Sequence, residues 1–180
     1  MERVSRRVRD QLVGRALPAL TLQSTAGRVD VAELGTDLLV LFIYPHATGL
    51  PDAPVPGWHL IPGARGCTAQ SCAFQAQHER LSNLGAALAG LSAQAVDEQR
   101  EFAARIGLHY PLISDPERKL AAALGLPTFA AGGRTFYERL TVVASGGRVA
   151  SVFYPVVEPE RNAADVVDSL GGRIRRPRLP

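Results

Sequence analysis

The heptapeptide Leu38-Leu39-Val40-Leu41-Phe42-Ile43-Tyr44 contains no charged or strongly polar side chain. An uninterrupted run of this kind predicts a strand that is covered on both faces, as in the parallel sheets of α/β proteins. Pro45 ends the run, and a segment rich in proline and glycine, residues 45–66, follows it. Cys67 comes directly after that segment, at the point where a helical pattern begins.

Strand and helix patterns alternate on both sides of this run. A turn at Ala26-Gly27 predicts a short N-terminal β-hairpin from residues 18–22 and 29–31. The later segments predicted as strands are 87–91, 111–113, 140–144 and 148–154. Those predicted as helices are 67–84, 97–106, a segment opened by Asp115-Pro116 and closed by Gly125, and 160–170, ending at Gly171-Gly172. The alternation predicts a three-layer α/β/α domain.

Length and composition are those of an ordinary globular protein. The 180 residues are 46% hydrophobic and carry a net charge of +3, which predicts a single domain over residues 1–180 with a core of about 12–170. The basic segments 1–11 and 171–180 are expected to be flexible termini, and 45–66 to be an inserted loop. The chain shows neither a membrane-length apolar run nor a signal-peptide pattern, so a cytoplasmic protein is expected. Basic residues in the interior of the chain do not cluster with aromatic ones, so a nucleic acid is not an expected partner. A membrane is not expected either, since no apolar run is long enough to span one.

The two cysteines of the chain, Cys67 and Cys72, lie in one short segment. In a cytoplasmic protein of this size, such a pair favours redox chemistry over a structural role. A thiol in the first turn of a helix is stabilised as the thiolate by unpaired N–H groups and by the helix dipole. Other interpretations are a permanent disulfide, inert buried thiols, a disulfide-isomerase-like role, or a zinc site that adds His59 and His78.

The spacing of Cys67 and Cys72 has a geometric consequence. Helical residues five apart are separated by about 9 Å at Cα, whereas a disulfide requires about 7 Å or less. The pair can therefore join only if the first turns of the helix unwind. A thiolate that attacks a peroxide becomes a sulfenic acid, which condenses with a second thiol. This chemistry would need the helix folded for the first step and unwound for the second.

Several motifs in a fixed order resemble the peroxiredoxins, and most of all the Q-type branch, the bacterioferritin comigratory protein group. The similarity covers about residues 12–170. It rests on Leu41-Phe42-Ile43-Tyr44-Pro45, Gly66-Cys67-Thr68 with Cys72-Ala73-Phe74, Gly90-Leu91-Ser92, Tyr110-Pro111-Leu112-Ile113-Ser114-Asp115, and Arg139-Leu140-Thr141 with Gly146-Gly147-Arg148-Val149.

The resemblance implies a thioredoxin-like fold with an N-terminal hairpin. It also implies an antioxidant thiol-dependent peroxidase, acting on hydrogen peroxide and organic hydroperoxides without a cofactor or metal. Cys67 would be the peroxidatic cysteine and Cys72 the resolving one, joined in an intramolecular, redox-active disulfide that a thioredoxin-like donor reduces. Arg139 would hold the thiolate and the peroxide oxygens. Relatives of this type are often monomers, so a monomer is expected.

The chain departs from the family pattern just before Cys67. The family motif Pro-x-x-x-Thr-x-x-Cys would place proline and threonine at Leu60 and Ala64. We interpret this as an insertion, with Pro45 shielding the thiolate and Thr48 as the candidate hydroxyl that orients the peroxide. Gln70 stands where many relatives carry glutamate.

Four further side chains near this region are assigned from their surroundings in the sequence. We interpret Arg65 as a solvated loop residue, Trp58 as an anchor that packs the loop, and His78 as a partly buried structural residue. His46 receives no role. The competing function class is a non-enzymatic redox sensor or disulfide-exchange protein that uses the same two thiols.

Overall fold

A seven-stranded mixed sheet forms the centre of the molecule. The structure is a computed structural model and describes residues 2–47 and 55–174. Its strands are β1 (Thr21–Ser24), β2 (Gly27–Asp30), β3 (Leu38–Ile43), β4 (Ala86–Ser92), β5 (Leu112–Ser114), β6 (Thr128–Ala131), β7 (Arg134–Tyr137), β8 (Leu140–Ser145) and β9 (Arg148–Phe153). Its helices are α1 (Glu2–Leu12), α2 (Val31–Leu34), α3 (Cys67–Asn83), α4 (Val96–Ile106), α5 (Lys119–Leu124) and α6 (Pro159–Ile174), with a 3-10 turn at Trp58–Leu60.

The order of strands in the sheet is β2-β1-β5-β4-β3-β8-β9. Strand β3 pairs in parallel with β4 and antiparallel with β8, which makes it an interior strand. Its side chains alternate between two apolar layers, with Leu39 and Leu41 in one and Val40 and Phe42 in the other. Helices α3, α4 and α6 contribute to the second layer, and α1, α2 and α5 to the first. The prediction of a three-layer α/β/α fold is confirmed.

Two hairpins predicted from their turns are present in the sheet. Strands β1 and β2 pair antiparallel across the turn that contains Gly27, which has a φ of 110°. Strands β8 and β9 pair across Gly146-Gly147. The third hairpin, β6–β7, was not predicted and forms a separate two-stranded sheet. Its signal was the pair Gly132-Gly133, whose positive φ values of 54° and 72° suit a two-residue hairpin turn.

The N-terminal segment is a helix, α1, and not the flexible terminus expected for residues 1–11. Leu12 is fully buried against the sheet, and Val8 packs on the same apolar layer. The chain that follows α1 pairs with edge strand β9, where Gly14 N donates to Val149 O at 2.8 Å and Val149 N donates to Arg15 O at 2.9 Å. An edge strand otherwise exposes unpaired backbone groups. Residues 14 and 15 thus cover the edge of β9, while the burial of Leu12 and Val8 holds α1 against the sheet.

The C-terminal helix also departs from the prediction. Helix α6 continues through Gly171 and Gly172 to Ile174 instead of ending at the glycines. Glycine weakens a helix by about 1 kcal/mol relative to alanine, but the preceding turns are buried through Val166, Val167 and Leu170. The rest of the predicted flexible tail, residues 175–180, lies outside the described residues. Within the described ranges, no helix has the length and apolar character needed to span a membrane.

Helix α5 begins later than predicted, although Asp115 does cap it. The carboxylate of Asp115 accepts hydrogen bonds from Lys119 N at 2.9 Å and Leu120 N at 2.8 Å. Pro116 therefore lies in the turn before the helix and not in its first turn. Arg118, at the junction, adopts a left-handed conformation with a φ of 54°.

The packing of α1 yields a first prediction. Leu12→Ala should lower the free energy of unfolding by about 2–5 kcal/mol, because it leaves a cavity under the helix. Val13, its neighbour, is 49% exposed, so Val13→Ala should change that free energy by no more than about 0.5 kcal/mol. Urea unfolding followed by circular dichroism measures both. Equal, small effects would mean that the N-terminal segment does not pack.

Candidate active site around Cys67

Cys67 is the first residue of α3, and two features fix the start of this helix. Gly66 caps it in a left-handed conformation, with a φ of 98°. A Cβ added at Gly66 would lie 2.7 Å from a ring carbon of Pro159, so the loop approaches α6 as closely as glycine permits. The first amide groups of a helix have no helical acceptor and carry the positive end of the dipole. The sulfur of Cys67 therefore lies near the positive end of the α3 dipole.

Arg139 reaches the same sulfur from the sheet. It directly precedes β8, whose Leu140 pairs with Ile43 at the end of β3. Because of this pairing, Arg139 lies beside the C-terminal end of β3, from which the chain continues toward Cys67. The Nη2 group of Arg139 lies 3.2 Å from the Cys67 sulfur, and both residues are only 4% exposed. The S–H group of the thiol has an alternative partner in Ala64 O, at 3.6 Å.

The guanidinium of Arg139 is held by oxygen atoms that carry no net charge. It donates to the carbonyl oxygens of residues 63, 64 and 65 at 2.8 to 3.4 Å, and to Gln70 Oε1 at 2.6 Å. Across residues 2–47 and 55–174, the ion pairs found are exposed and do not involve Arg139. The Cys67 sulfur is thus the partner in this shell that can take a negative charge. A thiolate at this position would accept a charge-assisted hydrogen bond from the guanidinium.

The Gln70 side chain that accepts from the guanidinium is itself held by a buried hydrogen-bond network. Gln70, on α3, donates from Nε2 to Asn162 Oδ1 on α6 at 3.0 Å. Thr141, on β8, donates to the same oxygen at 2.6 Å. Gln70 and Thr141 have no exposed surface, and Asn162 is 3% exposed. In the sequence, Gln70 is recognisable only as a substitution for glutamate, and Asn162 was not predicted because no local pattern marks it.

Tyr44 and Pro45 follow β3 at the same edge of the sheet, and both are buried. Burial raises the pKa of the Tyr44 hydroxyl well above its usual value of 10, and the nearby Cys67 acts in the same direction. Tyr44 is therefore a neutral, protonated wall residue near the thiol. Thr48, the candidate for orienting a peroxide, lies outside the described residues.

Cys72 lies on α3 within the same continuous helix as Cys67 and is exposed, and both thiols are free. The backbone of the intervening segment is helical, with Gln70 N donating to Gly66 O at 2.9 Å. The structure therefore shows the arrangement with the helix folded, in which Cα atoms five residues apart are about 9 Å from each other.

The remaining predicted side chains occupy structural positions. Trp58 is 6% exposed and packs on Phe136 with a ring separation of 4.9 Å, which confirms its role as a loop anchor. Arg65 has an exposed side chain, although its carbonyl contacts Arg139. His78 is half-buried against the ring of Tyr110. The described residues hold no group of three or more His, Cys, Asp or Glu side chains placed to bind a metal.

An apolar cavity of about 330 Å³ borders Arg139. Apolar side chains from α1, the loop before α3, strand β6 and the turn that leads into α6 line much of it, and the polar side chains of Ser5, Glu138 and Tyr154 also border it. The lining residues that define it are Val4, Pro62, Phe129, Pro155, Val156 and Val157.

A sheet of this order, with a thiol at the start of the helix that follows the interior strand β3, places the chain among the thioredoxin-like thiol proteins. The sequence profile of the AhpC/TSA family matches residues 60–150, just over half of the chain. The chain belongs to the AhpC/TSA family.

Individual relatives agree with this assignment. The chloroplastic peroxiredoxin Q of Sedum lineare is 27% identical over 161 residues, which cover 87% of this chain and 76% of that protein. The rice (Oryza sativa subsp. japonica) peroxiredoxin Q is 27% identical over 161 residues, but the chain spans only 65% of its length. These matches confirm the resemblance to Q-type peroxiredoxins.

Solved structures share the fold. Peroxidoxin BcpB from Mycobacterium tuberculosis superimposes with a TM-score of 0.73 at 24% identity, over 92% of this chain and 98% of that one. Xanthomonas campestris peroxiredoxin Q gives a TM-score of 0.71 at 23% identity, over 90% of this chain and 98% of that one. The thioredoxin-like fold predicted from the sequence is therefore confirmed.

The contact between Arg139 and Cys67 yields a second prediction. In a Cys72→Ser background, Arg139→Met should slow the alkylation of Cys67 by iodoacetamide at pH 7 by about 10- to 100-fold, because a hydrogen bond to a charged group is lost. Arg65→Met is the matched control, since its side chain is exposed, and it should alter the rate less than about twofold. Equal rates in the two variants would contradict the assignment of Arg139 as the cation that holds the sulfur.

His46 yields a third prediction, on pH dependence. Burial lowers the pKa of His46 below its ordinary value of 6.5, opposed by Glu98 and reinforced by Arg134. The folded state thus favours the neutral ring, so this contribution to stability is complete above pH 6.5 and is lost as pH falls through the lowered pKa. His46→Gln should lose less free energy of unfolding between pH 7.5 and 5 than wild type. His59→Gln, at an exposed position, should match wild type in urea unfolding at both pH values.

Proposed function

We propose that this protein is a thiol-dependent peroxidase that reduces hydrogen peroxide and organic hydroperoxides through Cys67. The observation that carries the proposal is the buried contact of Arg139 Nη2 with the Cys67 sulfur at 3.2 Å. A buried cation that contacts a single ionisable sulfur stabilises the nucleophilic form of that sulfur. The family membership, and relatives that are named peroxiredoxins, agree with this chemistry.

In the first step, the Cys67 thiolate attacks one oxygen of the peroxide ROOH. The S–O bond forms as the O–O bond breaks, and the departing RO⁻ takes up a proton to leave as ROH. Cys67 is then a sulfenic acid, oxidised by two electrons. The N–H groups of Arg139 lie beside the sulfur, where negative charge moves from the thiolate to the peroxide oxygens. Pro45 would shield the thiolate from water, and Thr48 would orient the peroxide.

In the second step, the Cys72 thiol attacks the Cys67 sulfenic acid. An S–S bond forms and one water molecule leaves, carrying the sulfenic oxygen. Since Cys67 and Cys72 lie in one continuous helix, the segment between them must unwind before their sulfur atoms can meet. Cys72 is exposed and Cys67 is buried, so the Cys67 sulfur must also become accessible before the two sulfur atoms can meet.

The third step returns both thiols by exchange with a reductant, which we propose is thioredoxin-like. Exchange requires an exposed disulfide, and the unwound segment would present one. We propose that the protein acts as a monomer in the cytoplasm. The plant relatives named above are chloroplastic.

Organic hydroperoxides belong among the proposed substrates for a structural reason. The apolar cavity beside Arg139 offers a surface on which an alkyl group can be removed from water while the peroxide oxygens face the guanidinium. A Xanthomonas campestris bacterioferritin comigratory protein of the same fold is described as having alkyl peroxide reduction activity.

Peroxide consumption coupled to NADPH oxidation through thioredoxin and its reductase tests this function. Wild type should turn over repeatedly with hydrogen peroxide and with cumene hydroperoxide, and Cys67→Ser should fall to the rate without enzyme. Cys72→Ser should complete one turnover and then stall, because its sulfenic acid has no internal thiol to attack it.

Three outcomes of this assay would change the assignment. Full activity of Cys67→Ser would remove the proposed nucleophile. Unchanged multiple turnover of Cys72→Ser with thioredoxin would remove Cys72 from the resolving step. Oxidation of wild type without repeated turnover would favour the alternative function, a non-enzymatic redox sensor.

A further inference from the structure

Gln70 lies inside the segment that must unwind, and its side chain is bound at both ends. Its oxygen accepts from Arg139 at 2.6 Å, and its amide nitrogen donates to Asn162 at 3.0 Å. The residue has no exposed surface. Unwinding of the helix around Gln70 must therefore break both of its buried side-chain hydrogen bonds, in addition to the backbone bonds of the helix and the bond from the Tyr110 hydroxyl to Ser71 O at 2.8 Å.

We propose that Asn162 is a positioning residue that clamps this segment to helix α6 and so sets the balance between its folded and unwound states. The inference rests on the peroxidase function proposed above and adds a residue to it. The hydrogen bonds of Asn162 described above join it to Gln70 and Thr141, and neither of them involves a cysteine. It acts through Gln70, and the strength of its hold decides how often the first turns of α3 open.

The geometry of Asn162 explains why it can act as a clamp. Its Oδ1 accepts from both Gln70 and Thr141, at 3.0 and 2.6 Å. Two donors on one oxygen fix the orientation of the Asn162 amide, and this in turn directs the Gln70 oxygen toward Arg139. If the Asn162 side chain is removed, the Gln70 nitrogen loses its acceptor in a buried place, and a buried donor without a partner is costly.

The clamp also couples two competing fates of the Cys67 sulfenic acid. If the segment opens, the Cys72 thiol attacks and a disulfide and water form. If it stays closed, a second ROOH converts the sulfenic acid to a sulfinic acid and leaves as ROH, which ends the catalytic cycle. A tight clamp thus favours a well-oriented Arg139 and peroxide attack, whereas a loose clamp favours disulfide formation.

Hydrogen–deuterium exchange on the reduced protein tests the clamp without any peroxide. Asn162→Ala should raise the exchange of the backbone amides of residues 67–72 by about five- to tenfold, the effect of losing one buried hydrogen bond. Val166→Ala is the matched control. Val166 is likewise buried on α6 and packs in the same apolar layer as α3, but it makes no polar contact with Gln70.

A second measurement follows the chemistry. After equal exposure to hydrogen peroxide, mass spectrometry should find about five- to tenfold less sulfinic Cys67 in Asn162→Ala than in Val166→Ala, because opening precedes disulfide formation. Thr141→Val removes the second donor to Asn162 and should likewise raise amide exchange in residues 67–72 and lower the amount of sulfinic Cys67. This variant replaces Asn162→Ala in both measurements if Asn162→Ala does not fold.

The results separate the clamp from the peroxidase function. Exchange in residues 67–72 that is equal in Asn162→Ala and Val166→Ala would overturn the clamp, whatever the activity of the protein. Selective exchange in Asn162→Ala combined with an inactive wild type would support the clamp and overturn the peroxidase function instead. If neither Asn162→Ala nor Thr141→Val differs from Val166→Ala in sulfinic acid, the clamp does not control resolution.

Discussion

The guanidinium of Arg139 lies in a cage of neutral oxygen atoms and touches one sulfur atom. Removing a cation from water costs several kcal/mol unless hydrogen bonds and an opposite charge replace the solvent. Backbone carbonyl oxygens of residues 63–65 and the amide of Gln70 supply the hydrogen bonds. In the described part of the chain, the sulfur of Cys67 is the contact able to supply the charge. The need to neutralise Arg139 therefore joins the loop, the start of α3 and the end of the sheet.

Helix α3 meets two opposing demands. Its first turn must be folded so that Cys67 faces Arg139, yet any bond between Cys67 and Cys72 needs the same turns unwound. The structure places Gln70 between the two cysteines, and through it ties these turns to α6 and β8. A segment held by a few polar contacts can open locally without loss of the core. The apolar anchor of the helix, Phe74, lies beyond Cys72 and is fully buried.

The approach to Cys67 is stabilised by a small apolar cluster of its own. Trp58, Val55 and Ala64 pack on Phe136 of the β6–β7 hairpin. Gly132 allows this contact, because a Cβ there would lie 2.5 Å from a methyl carbon of Val55. Residues 55–66 thereby acquire a fixed position, and the carbonyl groups that bind Arg139 are part of this segment.

By itself, the sequence determined the features that depend on local periodicity. The apolar run at β3, the glycine-marked hairpins, and the cysteine at the start of a helix all follow from residues that are neighbours in the chain. The resemblance then indicated Arg139. Only the tertiary structure decided that α1 packs on the sheet, since Val8 and Leu12 contact residues far away in the chain, and that Asn162 belongs to the site. Asn162 and Gln70 are 92 positions apart, and contacts of that range are set by the packing of α6 on α3, which no local pattern encodes.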